Sequence, residues 1–137
     1  MEIDLAKYVG KWYEIARIPN DFEPNMKNVT AHYEMKEDGT IKVVNSGYIN
    51  GIHRQIIGTA KQTEKDDTLC VSFFPCECSD YIILAIDKDY NHALVGGNKS
   101  DFIWVLSRNL HISKSTLNQF IKIAKGKGYN VEKIKFS

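Results

Sequence analysis

An excess of charge of either sign is missing from this chain. Eighteen Lys and Arg against seventeen Asp and Glu leave a formal net charge of +1 over 137 residues. Nucleic-acid binding rests on neutralising many phosphates, so no nucleic-acid partner is expected. Lysines do gather late, at Lys122, Lys125, Lys127, Lys133 and Lys135. They read as a solvated helix face and tail, with weak attraction to anionic lipid headgroups as the alternative. A long apolar run is also missing, which excludes a membrane-spanning helix and the h-region of a signal peptide. Met1-Glu2-Ile3-Asp4 has no basic n-region either. Two locations are therefore expected: the cytoplasm, or the cell envelope (outer membrane or periplasm) if an export leader has been removed. A Met set directly against a domain start points to the second.

Cysteine is scarce and odd in number: Cys70, Cys76 and Cys78. Cys76-Glu77-Cys78 is too closely spaced for a relaxed mutual disulfide. A tetrahedral zinc site would need a fourth ligand and wider spacing. The cysteines read as small side chains in a strand and a loop. A bridge from Cys70 to Cys76 or Cys78 under oxidising conditions is the alternative.

Catalytic patterns are absent too. No Gly-x-Ser-x-Gly, His-x-x-x-His or paired-carboxylate motif occurs, and His32, His53, His92 and His111 are scattered. No catalytic residue, metal or cofactor is expected, and the chain does not read as an enzyme. Repeats and low-complexity segments are lacking as well.

What is present is an ordinary soluble composition, 43% hydrophobic and 26% charged, in a length suited to one domain spanning 1–137. Strands are expected at 10–19, 29–35, 41–48, 52–62, 68–74, 80–87, 92–97 and 101–107, each β-branched or aromatic and bounded by turn residues. Glu37-Asp38-Gly39-Thr40 and Asn50-Gly51 mark hairpin turns. Gly58 reads as a bend or bulge within its strand. Asn20–Asn28, carrying Phe22 and Met26, is long enough for a lid or binding loop, and Pro75–Ser79 is a second loop. Eight evenly spaced strands are the pattern of a sandwich or barrel. The period then changes. Ser113 is the expected cap of a helix to about Gly126, with Leu117, Phe120, Ile121 and Ala124 on one apolar face. A short final strand is expected over 130–136.

The stretch around which the chain is arranged is Gly10-Lys11-Trp12-Tyr13-Glu14-Ile15-Ala16-Arg17. Gly10 permits a close backbone approach, and Trp12 is large enough to plug the end of a core. Gly10-Lys11-Trp12, Asp89-Tyr90 after the sixth strand and Leu106-Ser107-Arg108 ending the eighth together resemble the three signatures of the lipocalin family. Lys88 stands where Thr is commoner. The resemblance runs over nearly the whole chain and is strongest to the bacterial outer-membrane lipocalin and apolipoprotein D-like group.

That resemblance implies an all-β fold, an eight-stranded up-and-down antiparallel barrel, with the helix packed outside. It implies that Arg108 lies over Trp12 and closes the narrow end, a structural role. It also implies a cavity for a small hydrophobic ligand, such as a fatty acid or lysophospholipid. The family's register proposes the inward residues Ala31, Tyr33, Val43, Asn45, Ile56, Val71, Phe73, Ile83, Ala85, Leu94, Phe102 and Trp104, with Tyr33 and Asn45 the only polar groups among them. A one-residue slip would exchange each for its neighbour. A charged headgroup would sit at the mouth, near Lys27, His53 and Arg54. Carriage of a conjugated ligand (haem, bilin or retinoid) is an alternative. Some relatives are isomerases with a cavity Cys, but Cys70 beside inward Val71 should face out. In the resembled group, membrane association runs through a lipidated leader. A monomer or weak homodimer is expected.

Overall fold

The computed structural model describes residues 3–18, 27–74 and 77–136. The sequence's candidate lid therefore lies outside the described residues, except Lys27 and Asn28, which open a strand; Cys76 lies outside them too. Eight strands form the barrel: β1 (Gly10–Arg17), β2 (Lys27–Met35), β3 (Ile41–Ile49), β4 (Ile52–Gln62), β5 (Thr68–Phe74), β6 (Glu77–Ile86), β7 (His92–Gly96) and β8 (Ile103–Ser107). Each pairs antiparallel with its sequence neighbours, and β8 returns to β1, so the sheet closes on itself. Closure leaves few unpaired edges.

Alternation builds the wall. On β2, Val29, Ala31 and Tyr33 are buried while His32 and Glu34 are exposed. The ladder between β3 and β4 runs unbroken through Val43 and Gly58, so no bulge sits there. Gly58 is needed for space instead. A Cβ on it would stand 2.6 Å from the Ser72 carbonyl oxygen and 2.7 Å from the Phe73 ring. Phe73 packs over bare backbone at this point.

The register also shifts between Lys27 and Thr30 on β2 and between Val71 and Phe74 on β5, but the irregularities on β1 and β6 decide which side chains face the helix. Between β1 and β8 the register passes from Glu14 opposite Leu106 to Ala16 opposite Val105, which makes Ile15 an extra residue. Between β6 and β7 it passes from Ile83 opposite Val95 to Ala85 opposite Leu94, which makes Leu84 extra. Each bulge reverses which side chains point inward. Ala16, Leu84 and Ala85 thereby join an outer cluster with Ile18, Leu94, Ile103 and Val105.

That outer cluster is covered by α2 (Lys114–Gly126), whose cap Ser113 accepts from the Thr116 N–H at 3.1 Å. Phe120 and Ala124 are buried, and Leu117 and Ile123 pack beside them. Ile121, expected on that face, is only half-buried; the contact stripe turns toward Ile123 instead. The expected final strand is shortened. Val131–Lys133 makes a 3-10 turn, and only Lys135–Phe136 (β9) pairs, against Ala16 and Arg17 of β1. The Tyr129 hydroxyl donates to the Gly97 carbonyl at 2.6 Å and ties this tail to the barrel.

One helix was not expected. Leu5–Tyr8 (α1) forms a single turn, with Asp4 as its cap. It lies across the closed end, and Ile3 and Tyr8 are buried with Trp12 in the inner cluster. The cysteines also differ from the first reading. Cys70 and Cys78 form a disulfide with their Cα atoms 5.4 Å apart, linking β5 to β6. Opposed strands bring the two Cα atoms within the usual bridging range.

Candidate functional site

The narrow end is built around Trp12. Its indole N–H donates to the Tyr8 carbonyl at 2.8 Å, inside the core. The Arg108 guanidinium lies over the ring, 3.8 Å from its centre. Every Arg108 nitrogen also donates to a carbonyl. Nε reaches Tyr90, one terminal nitrogen reaches Lys11, and the other reaches Lys7, Tyr8 and Val9, all within 3.1 Å. Stacking and the filled donor set fix this side chain as a clasp between β8 and the first turn of chain. Gly10 lies directly under it, with φ +105° and space that puts a Cβ 3.3 Å from the guanidinium. Tyr90 adds its hydroxyl, which accepts from the Asp4 N–H at 2.9 Å, whereas Asp89 is exposed on its turn.

The half of the interior next to this clasp is packed. Ile41, Ala60, Leu69, Ile83 and Ala93 are buried there with Tyr8 and Trp12. The other half is hollow, a cavity of ≈ 140 Å³. It opens toward the end carrying the β3–β4, β5–β6 and β7–β8 connections.

Nine of the twelve proposed inward residues stand on its wall: Ala31, Tyr33, Val43, Asn45, Ile56, Val71, Phe73, Phe102 and Trp104. Phe102 and Trp104 stack with ring centres 6.3 Å apart. Three stand elsewhere. Ile83 is buried in the inner cluster but does not reach the cavity. Ala85 faces outward beneath α2 because the β6 bulge adds a residue before it, and Leu94 faces outward because alternation on β7 turns Ala93 and Val95 inward.

The wall is less purely apolar than expected. Glu14, Ser79, Asp80 and Tyr81 line it, together with the apolar Leu106. Glu14 follows Trp12 by two residues, so strict alternation from the plug already points it inward. Its carboxylate lies 3.3 Å from Arg17 Nε, and both residues are buried. A buried carboxylate is tolerable when paired in this way.

At the inner end of the cavity three phenols meet. The Tyr81 hydroxyl bonds to the Tyr33 hydroxyl at 2.9 Å and to the Tyr8 hydroxyl on its other side. Burial pushes the Tyr8 and Tyr81 phenols well above their usual range, so both stay protonated at neutral pH.

The proposed headgroup residues sit at the mouth. Exposed Lys27 is paired across the strands with Tyr48, and Tyr48 with His53, their rings 5.3 Å apart; Arg54 is exposed beside them. None lines the cavity. The four histidines also lie off its wall, and His92 is bonded to Asp87 at 2.9 Å. Among the described residues no group of His, Cys, Asp and Glu could hold a metal ion.

Comparison with known proteins agrees with this geometry. The chain matches the model of the lipocalin-like domain over residues 3–137. It is 38% identical over 134 residues to the outer membrane lipoprotein Blc of Escherichia coli (strain K12), covering 95% of this chain and 76% of that protein. It is 35% identical over 142 residues to apolipoprotein D of Mus musculus, covering 96% and 74%. Among solved structures, lobster apocrustacyanin A1 superposes with a TM-score of 0.80 at 15% identity, over 96% of this chain and 77% of that one, a likeness of fold alone. With the family model reaching all but the first two residues, and relatives sharing more than a third of its sequence, the chain belongs to the lipocalin family.

Proposed function

We propose that this protein binds and carries a small hydrophobic molecule with a single acyl chain, a fatty acid or lysophospholipid, in the barrel cavity. The observation that carries this reading is the cavity itself: hollow at one end, clasped at the other, and lined mostly by apolar and aromatic side chains. Burying an acyl chain there contributes about 0.8 kcal/mol per CH₂. Ordering the ligand and the loops offsets part of that gain, which leaves dissociation constants on the order of micromolar or tighter. Lys27, His53 and Arg54 are the cations nearest a headgroup left at the mouth.

A binding role fits better than catalysis. An isomerase of this family needs a cavity thiol, and the Cys70 sulfur is in a disulfide with Cys78. A haem carrier would need an axial ligand, and the histidines lie off the wall.

We place the protein in the cell envelope. The disulfide suits an oxidising compartment, and the relative Blc is by name an outer membrane lipoprotein.

The test is displacement. Long-chain fatty acids should displace an environment-sensitive apolar dye from the folded protein. Failure at every chain length would remove the reading.

A further inference from the structure

The phenol cluster at the inner end of the cavity has a use beyond packing. Tyr33 comes from β2, Tyr81 from β6 and Tyr8 from α1, and their rings meet edge-on or tilted within 6.4 Å of one another. Tyr33 and Tyr81 are on the cavity wall; Tyr8 is fully buried behind them. We propose that this cluster is a specificity site for a neutral oxygen, a hydroxyl or carbonyl carried at the buried end of an otherwise apolar ligand. The inference rests on the binding reading above and names the class of ligand more closely.

Three observations favour a neutral oxygen over a charged one. First, among the described residues the cavity wall carries no Lys, Arg or His. The Arg108 guanidinium lies on the Trp12 face, and its nitrogens are engaged by the carbonyls of Lys7, Tyr8, Val9, Lys11 and Tyr90. An ionised carboxylate placed here would lose its water without gaining a counter-charge. The carboxylates on the cavity wall, Glu14 and Asp80, add no positive charge, and Glu14 is already paired with Arg17. Second, burial keeps Tyr8 and Tyr81 protonated, so the cluster has hydroxyl protons to donate as well as lone pairs to accept with. Third, the central hydroxyl is under-used. A phenol can donate once and accept twice. Tyr81 has two partners, Tyr8 and Tyr33, so its oxygen has room for a third. Tyr81 is only half-buried and forms part of the cavity wall, where a ligand oxygen can approach it.

A plain acyl chain leaves the two phenol–phenol bonds as they are and still binds. A chain ending in a hydroxyl adds one hydrogen bond at the inner end and keeps its carboxylate at the mouth. One neutral hydrogen bond is worth roughly three- to tenfold in affinity.

The experiment compares saturated fatty acids from decanoate to stearate with their ω-hydroxy counterparts, by displacement of the same dye. At the best chain length the ω-hydroxy acid should bind roughly three- to tenfold more tightly than the plain acid to the native protein. Tyr81→Phe should abolish that preference, and Tyr33→Phe should reduce it. Equal or weaker binding of every ω-hydroxy acid to the native protein overturns the inference. So does a preference that survives undiminished in both variants. Should either variant fail to fold, the native protein still decides. The ω-hydroxy acid must perturb the tyrosine near-ultraviolet band more than the plain acid does, and identical difference spectra count against the site. If neither kind of acid displaces the dye, the carrier reading itself fails. If both do so equally, the carrier reading stands and the inner site does not.

Discussion

The two tryptophans divide the work of the molecule between stability and binding. Trp12 is wholly buried, hydrogen-bonded and covered by Arg108. Trp104 is half-buried and lines the cavity. Trp12→Ala should therefore lower the unfolding free energy by about 4 kcal/mol, the cost of emptying a large core site. Trp104→Ala should change stability much less but weaken fatty-acid binding severalfold. A melt and a titration on the same two variants read this out, and the opposite assignment would show the roles exchanged. Gly10→Ala should also destabilise. It forces a side chain into a left-handed conformation and crowds the guanidinium. Much at this scale was legible. The spacing from Gly10 to Trp12 and the Arg108 at the end of the eighth strand were visible as a clasp. Glu14 was overlooked although its parity with Trp12 pointed inward; a charged residue in an oily wall is credible only once Arg17 is seen beside it.

At the scale of elements, the strands and their turns were legible because polar and apolar residues alternate and the turn residues are specific. The bulges were not. Ile82-Ile83-Leu84-Ala85-Ile86 is apolar throughout, so no alternation marks where one residue is extra. The family's register assigned Ala85 and Leu94 inward, and with β6 and β7 apolar on both faces no alternation corrected it; the helix buries them from outside. The α1 turn was illegible because four residues carry no periodicity. The disulfide was legible only as one of several pairings. Closing a loop this short contributes about 2 kcal/mol. Reduction should lower the unfolding midpoint accordingly, and a midpoint unmoved by reductant would mean the bridge does not constrain the chain. The β6–β7 turn makes a second prediction. Burial raises the Asp87 carboxyl, but hydrogen bonds from the His92 and Asn91 backbone and the His92 ring outweigh it and hold it low. Asp101, bonded to Asn130 and Lys133, is held low as well. A depressed folded value stabilises above the unfolded value near ~3.9 and loses that stabilisation as pH falls through the folded one. Urea midpoints should decline on acidification below about pH 4, and Asp87→Asn should flatten the decline.

At the scale of the whole molecule, a single barrel is divided into a packed half and a hollow half. The packed half holds the plug, the clasp and the inner core; the hollow half is where ligand binding is proposed. On this account, changes at the hollow should cost less stability than changes at the plug. Ala31 is the position that tests it most directly, because it is small, inward and on the cavity wall. Native mass spectrometry of the protein mixed with a long-chain fatty acid should show one acid per chain. Ala31→Trp, which fills the hollow, should show a folded chain with none. Bound acid at the same stoichiometry and strength in Ala31→Trp would contradict the account, because the ligand would then lie outside the barrel.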